Sequence, residues 1–436
     1  MTYKPTPFTR DSRRRLPGLA LRWLLTTMLS LAGLAHAAES EHAHGDSRAP
    51  SASAPAGARM PMSPFTCIGT SLACATAASP AWAKDGALWL TWVANGVVSV
   101  ARSTDRGLHF SPATVIGRHE GVADVGADAR PQIAIDAADR ITVLYDVFKD
   151  SHWNAEILVS RSTDGGQHFS APRLLMAQTA GQRFPTVALD TTGGLFVAWI
   201  DRRLAMEAAD KGIKRQGAAV AYAWSDDAGA HFTPARIAYT DSCECCRMGV
   251  AMRAPGRPVI VLRGVLDQRV RDHVVITFKG RHEPGTAQRV SDDNWVTNAC
   301  PHHGPAITVG AEGTYHVAWY TQSPTRSGLF YARSTDEGKT FSAPMRIGQA
   351  QQPSSRPNLL AQGARVWMAW KTFDGQATSL YVQTSRDAGE HWSAPKVLAQ
   401  SKGYSDHPLL TTQGNKVYLS WLAHDEGYQL IELAAP

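Results

Sequence analysis

The chain has 436 residues, of which 44% are hydrophobic, with 13 Trp and a formal net charge of +6. That composition is ordinary for a folded globular protein and excludes a collagen-like or wholly disordered chain. The charge is local: in residues 1–37, Lys4, Arg10, Arg13, Arg14, Arg15 and Arg22 stand against Asp11 alone. The remainder is therefore close to neutral, so neither nucleic acid nor an anionic membrane surface is an expected partner.

Residues 1–37 read as an export signal. A basic stretch precedes the apolar run 23–34, and Ala35-His36-Ala37 offers a small-x-small cleavage site. The run is too short to span a membrane, so no transmembrane anchor is expected after its removal. Ser12-Arg13-Arg14-Arg15-Leu16 has a twin-arginine character, but Arg22 interrupts the apolar core and favours the general secretory route. Either route leads to the periplasm or beyond. Residues 38–64 are rich in Ala, Ser and Pro and read as a disordered linker. Its pairs His42-Ala43-His44 and Met60-Pro61-Met62 are soft-metal ligand types, or simply accidents of a tail.

Residues 65–436 read as one domain built of repeats. Units fall at about 65–117, 130–176, 183–238, 245–290, 300–348 and 356–399, with a partial unit at 405–434. Most open with a short strand around a proline, as in Arg130-Pro131-Gln132-Ile133, Phe184-Pro185-Thr186-Val187 and Arg356-Pro357-Asn358-Leu359. A turn follows, then a run ending in Trp or Tyr: 88–92, 141–145, 195–199, 315–319, 366–370 and 417–421. The phrase Ser-x-Asp-x-Gly-x-x-aromatic then recurs at 103–110, 162–169, 225–232, 334–341 and 385–392. It joins two apolar runs, which makes it a hairpin turn. Its Asp can accept backbone N–H groups, and its Gly can take a backbone angle unfavourable for other residues. The fourth unit lacks the phrase, yet 259–262 and 274–278 still read as strands. A repeat near fifty residues, each written as four strands, predicts a propeller.

These octapeptides resemble the Asp-box (BNR) repeat of the sialidase superfamily. The resemblance covers the chain from about Cys67 onward and implies an all-β, sialidase-like β-propeller of four-stranded antiparallel blades. Repeat count favours seven blades over six, with the outer strand of the last supplied by the segment near Phe65. The family places its boxes at the rim opposite the ligand, which marks them as scaffold. Inner-strand starts should then gather at one channel mouth.

All six cysteines fall at that expected mouth: Cys67 and Cys74 in the first unit, Cys243, Cys245 and Cys246 in the fourth, Cys300 in the fifth. Two readings stay open. An even count in an oxidising compartment suggests disulfides, with Cys67–Cys74 closing a small loop and Cys300 bridging to one of the other three. Alternatively Cys243, Cys245, Cys246 and Cys300, with Met248, His302 and His303, form a soft set suited to copper or zinc. Arg130, Arg183 and Arg356 also stand at inner-strand starts. By the resemblance they imply a carboxylate-binding cluster, with Tyr404 near a nucleophile position and Asp150 or Asp201 as acid; no Glu partner for Tyr404 is evident. The 201–217 insertion carries helical propensity and could cover the mouth. The expected protein is an exported monomer that binds a metal ion or small ligand. An exo-sialidase or related glycoside hydrolase acting on a glycan is the first alternative. A protein-interaction platform with structural disulfides is the second.

Overall fold

The computed structural model describes residues 67–436 except Ala127, Gln178, Thr179, Gln268 and Cys300. The expectations for 1–37, for 38–64 with its His and Met pairs, for Phe65 and for Cys300 lie outside the described residues. Seven antiparallel sheets follow one another in chain order. Blade 1 runs through Ala77–Trp82, Leu88–Ala94, Val97–Ser103 and Thr114–Arg118; blade 2 through Gln132–Ile135, Ile141–Phe148, Ala155–Ser162 and Arg173–Leu174. Blade 3 comprises Gln182–Leu189, Leu195–Asp201, Ala218–Ser225 and Arg236–Ser242. Blade 4, which like blade 7 lacks the octapeptide, comprises Gly249–Ala254, Arg257–Arg263, His273–Gly280 and the short outer pieces Glu283–Pro284 and Gln288–Arg289. Blade 5 is Ala306–Val309, Tyr315–Gln322, Ser327–Ser334 and Met345–Ile347; blade 6 is Ser354–Gln362, Arg365–Phe373, Thr378–Ser385 and Lys396–Ser401. Blade 7 has three strands, Leu409–Gln413, Lys416–Ala423 and Gly427–Leu433.

The first strand of each blade touches the first strand of the next, and that of blade 7 touches that of blade 1. The wheel is therefore closed, which removes exposed sheet edges at the join. Next to blade 7, residues 72–74 form a 3-10 turn, and Leu72 and Cys74 pack with Leu422 and Tyr428. The second strands, and the third strands of blades 1 to 3, are buried on both faces over most of their length, because each blade is sandwiched between two others; Leu88–Ala94 and Ala218–Ser225 are buried throughout. This explains why they read as continuous apolar runs instead of alternating ones. Trp199, Trp319, Trp370 and Trp421, at equivalent positions in blades 3, 5, 6 and 7, are essentially inaccessible. Truncating any one to Ala would cost about 3–5 kcal/mol.

The five octapeptides form one turn, repeated. In each, the Ser Oγ donates to the Asp Oδ1 at 2.7–2.8 Å and accepts the Gly N–H at 2.8–2.9 Å. The same Oδ1 accepts the N–H four residues on, at 2.8–3.0 Å. The residue before the Gly is left-handed too, at φ 53–62° in Arg106, Ala228, Glu337 and Ala388, a feature the sequence pattern did not announce. The closing aromatic packs on the preceding blade: Phe110 on Tyr428 and Trp392 on Tyr331.

Strand register fixes which end is which. In blade 3, Leu195 pairs with Ser225 of the octapeptide, whereas Asp201 pairs with Gln182 at the start of the inner strand and with Ala219. The turns and the inner-strand starts therefore lie at opposite ends, as expected.

Candidate functional site

The mouth is built where inner strands begin, and in two blades those starts are bent. Phe184 and Arg356, each just before a proline, have φ of 57°, and the register slips beside both. The bends accompany a ring of arginines, each set against a carboxylate. Arg183 Nε donates to Asp124 at 2.6 Å. Arg356 pairs with Asp128 at 2.9 Å, and Arg247 reaches the same carboxylate at 3.5 Å. Arg130 pairs with Asp406, which also accepts the N–H of Ala78 at 2.9 Å and of His407 at 2.6 Å. One carboxylate thus ties blades 1, 2 and 7. Lys371 donates to the carbonyl of Ser405 at 2.5 Å.

Burial dominates the electrostatics here. It pushes the Asp128 carboxyl above its usual range, against the pull of Arg356. Burial and then the neighbouring Asp124 push Asp146 well above that range. Lys371 falls to about 8 and Arg247 to about 10, burial being the main cause of each. His407 is held neutral by burial and then by Arg356, Arg130, Arg247 and Lys371, and neither ring nitrogen has a hydrogen-bond partner.

Between blades 3 and 4, the loop after Arg236–Ser242 delivers Cys243, Cys245 and Cys246. All three are buried and bring their Sγ atoms within 4.8 Å of one another. Cys243 and Cys245 Sγ are 3.4 Å apart. The loop is pinned by the Cys243 N–H on the carbonyl of Arg263 at 2.8 Å. The thiols of Cys245 and Cys246 hold Cys243 well below the usual thiol range, while Cys243 in turn raises Cys246. A metal about 2.3 Å from three thiolates would set them about 4 Å apart, so the spacing suits such an ion.

Among the described residues, the other expected ligands stand outside this cluster. Met248 is buried in the apolar layer with Phe184 and Phe196. His303 stacks on Tyr320 at 4.1 Å, and burial depresses it to about 3. His302 is exposed, with a φ of 49°. Cys67 and Cys74 form the expected disulfide.

The catalytic set implied by resemblance is brought to the same mouth only in part. Arg130, Arg183 and Arg356 are there, each engaged by a carboxylate. Tyr404 is there too, but burial and Asp406 push its phenol up to about 12, away from a nucleophile's range. Asp201 is absorbed by Arg203, at 2.8 and 2.6 Å, and by the Trp199 indole at 3.0 Å. Asp150 closes its own loop: burial opposes ionisation, but the Asn154 amide and the N–H groups of His152 and Asn154 hold its carboxyl low. The 201–217 insertion does contain a helix, Arg203–Asp210. Sequence reasoning missed Asp124, Asp128 and Lys371. Asp128 stands two residues before Arg130, the one local hint; Lys371 follows Trp370 at the mouth end of its strand.

No family model matches the sequence, and no curated protein does. Among solved structures, the chain is similar to a PL25 polysaccharide lyase, an ulvan lyase bound to -[GlcA(1-4)Rha3S]-. The identity is 10%, covering 81% of this chain and 90% of that one, with a TM-score of 0.54. The polysaccharide lyase Uly1 is similar at 11% identity over 82% and 90%, TM-score 0.50. A Hadza microbial sialidase follows at 17% identity over 67% and 62%, TM-score 0.42. At these identities the lyase likenesses speak for the fold alone. They agree with the fold described above, an all-β propeller of seven blades. Among the described residues no helix is long and apolar enough to cross a membrane.

Proposed function

We propose that this propeller binds a soft metal ion, copper(I) or zinc, through Cys243, Cys245 and Cys246 at its channel mouth. The observation that carries this reading is the convergence of three buried thiols within 4.8 Å on a loop pinned to the neighbouring blade. When bound, such an ion would supply a soft Lewis-acidic centre; the chain's part is to hold three thiolates and shield them from water. The leader-like residues 1–37 and the Cys67–Cys74 disulfide support an exported protein, where soft-metal handling and oxidising conditions coexist. Protein purified under reducing, anaerobic conditions is expected to take up one equivalent of copper(I) or zinc against a chromophoric chelator, and the Cys243→Ser, Cys245→Ser, Cys246→Ser triple variant none. Wild-type protein that takes up neither ion overturns the proposal.

A second reading is an acidic glycan taken at the same mouth, favoured by one observation: Arg247 and Arg356 share the single carboxylate of Asp128. Retention on an immobilised uronate-containing polysaccharide, lost in Arg356→Gln, would support it. Equal elution of the two proteins would remove it.

A further inference from the structure

A cleft of about 400 Å³ lies between blades 5 and 6, at the end of blade 5 opposite its octapeptide, and is within the size range of small-ligand sites. Tyr320 lines it, with His303 stacked on its ring at 4.1 Å. Phe373, at the end of its strand and 50% exposed, lines it too. Gln349, Gln351 and Gln352, on the link between the two blades, add planar amides that both donate and accept. Among the described residues that line the cleft there is no Asp or Glu, but there is Arg346. Its guanidinium donates to the carbonyl of Ser327 at 2.6 Å and lies 4.9 Å from the centre of the Phe330 ring. No carboxylate among the described residues pairs with it.

Two buried polar atoms at the inner wall have no hydrogen-bond partner. One is His303 Nδ1; the other is Trp370 Nε1, behind Gly348 and Ser354. The counterparts of Trp370 in blades 3, 5 and 7 all donate: Trp199 to Asp201 at 3.0 Å, Trp319 to Asp293 at 2.8 Å, and Trp421 to the carbonyl of Asp406 at 3.2 Å. A Cβ added at Gly348 would stand 2.5 Å from Ser354 Oγ and 3.3 Å from the Trp370 nitrogen, so glycine keeps that corner clear. A buried N–H left unmet is costly, and a ligand oxygen, directly or through water, would offset it. The cleft also adjoins the hub. Ser355 lines it and precedes Arg356, and His302, next to His303, gives its carbonyl to the Arg356 guanidinium.

Resting on the acidic-glycan reading above, we infer that this cleft is a sugar subsite, in which one residue of an acidic oligosaccharide packs its ring on Phe373 and sets its charged group on Arg346, while the chain continues to Arg356. Amides and hydroxyls match sugar hydroxyls, an exposed aromatic ring covers the apolar face of a pyranose, and a guanidinium without a carboxylate takes either a uronate or a sulfate. Leu329 in the wall is already paired on both sides, with Tyr320 and Ile347, so that wall offers a peptide strand no open edge.

The test is calorimetric titration of the full chain with three probes: oligogalacturonate, which carries carboxylates only, carrageenan oligosaccharides, which carry sulfates only, and polyglutamate. Wild-type protein is compared with Phe373→Ala, Arg346→Gln and Arg356→Gln. Phe373 and Arg346 are exposed, so their variants are expected to fold. Wild-type protein is expected to bind one of the two oligosaccharides more tightly than polyglutamate, which also names the charged group. Phe373→Ala is expected to weaken that binding by about tenfold. Arg346→Gln is expected to weaken it by about fivefold at low salt, and by less at high salt. If Arg356→Gln loses binding while both cleft variants stay within about twofold of wild type, the subsite is overturned and the glycan reading stands. Polyglutamate bound as tightly as the oligosaccharides overturns the sugar assignment. A wild-type protein that binds neither oligosaccharide removes the glycan reading and the subsite together.

Discussion

At the turn end of the blades, the polar side chains of each octapeptide satisfy one another within four residues, the Ser buried and the Asp reaching water. His109, His168, His231 and His391 are all more than four-fifths exposed and bond their own Asp at 2.7 Å. At the mouth the paired groups are buried, and their partners come from other blades. Arg130 and Asp406 are 276 residues apart, and Arg356 and Asp128 are 228 apart. One end of this wheel repeats because it is local, and the other cannot repeat because it closes the ring. The turn end is scaffold that can be copied blade by blade. The mouth is a single assembled object in which a change in one loop is felt across the hub.

The largest effect expected from that contrast is at the closing carboxylate. Asp406→Ala would leave Arg130 buried without a counter-ion and the Ala78 N–H without its acceptor. Its cost should be about 3–5 kcal/mol, measured by urea unfolding. A loss below about 1 kcal/mol would show that the hub is wet and that the blades are joined by their apolar layers alone.

Next is the pH dependence of the hub. Lys371 titrates at about 8 in the folded protein, because of burial and then, against the pull of Asp406, the field of Arg356 and Arg130. An unfolded Lys titrates near 10.4. Between those values the native state binds fewer protons, so this group's contribution to stability rises with pH. Its cost is fully present below pH 8 and fades toward pH 10.5. Wild-type protein should therefore gain on Lys371→Met across that window, by up to about 3 kcal/mol, in parallel urea titrations. A constant difference between the two proteins would mean that the ammonium stays solvated.

The same contrast governs what could be read in advance. The turns were legible because residues that bond each other sit side by side in the chain, and their spacing is the structure. Topology also carried Arg130, Arg183, Arg356 and the thiols ahead of blade 4 to the mouth, since a strand's start is a sequence position. What pairs with what was not legible. Asp124 and Asp128 come from the loop ahead of blade 2, and Lys371 from the far end of a second strand; the closed ring alone decides whom they meet. Asp201 was misread for a different reason. Its partners Trp199 and Arg203 are two residues away on either side, so a local reading would have assigned it to structure.

The smallest effects belong to the turn end, where the two layers of each octapeptide can be separated. In the blade 3 copy, Ser225 is buried, donates to Asp227 and accepts the Gly229 N–H at 2.8 Å. His231 is exposed and adds only a bond to the outer oxygen of the same Asp227. Ser225→Ala removes a buried acceptor and strands the Gly229 N–H, at a cost of about 1–2 kcal/mol. His231→Ala removes a screened surface contact and should leave the unfolding midpoint unchanged within error. Below about pH 4 the Ser225→Ala deficit should persist. Asp227 is held well below its usual range, burial opposing while the His231 N–H and ring and Ser225 pull it down, so it is still ionised there. If His231→Ala cost as much as Ser225→Ala, the imidazole would be part of the turn's framework, and the four exposed histidines would need a role beyond the surface.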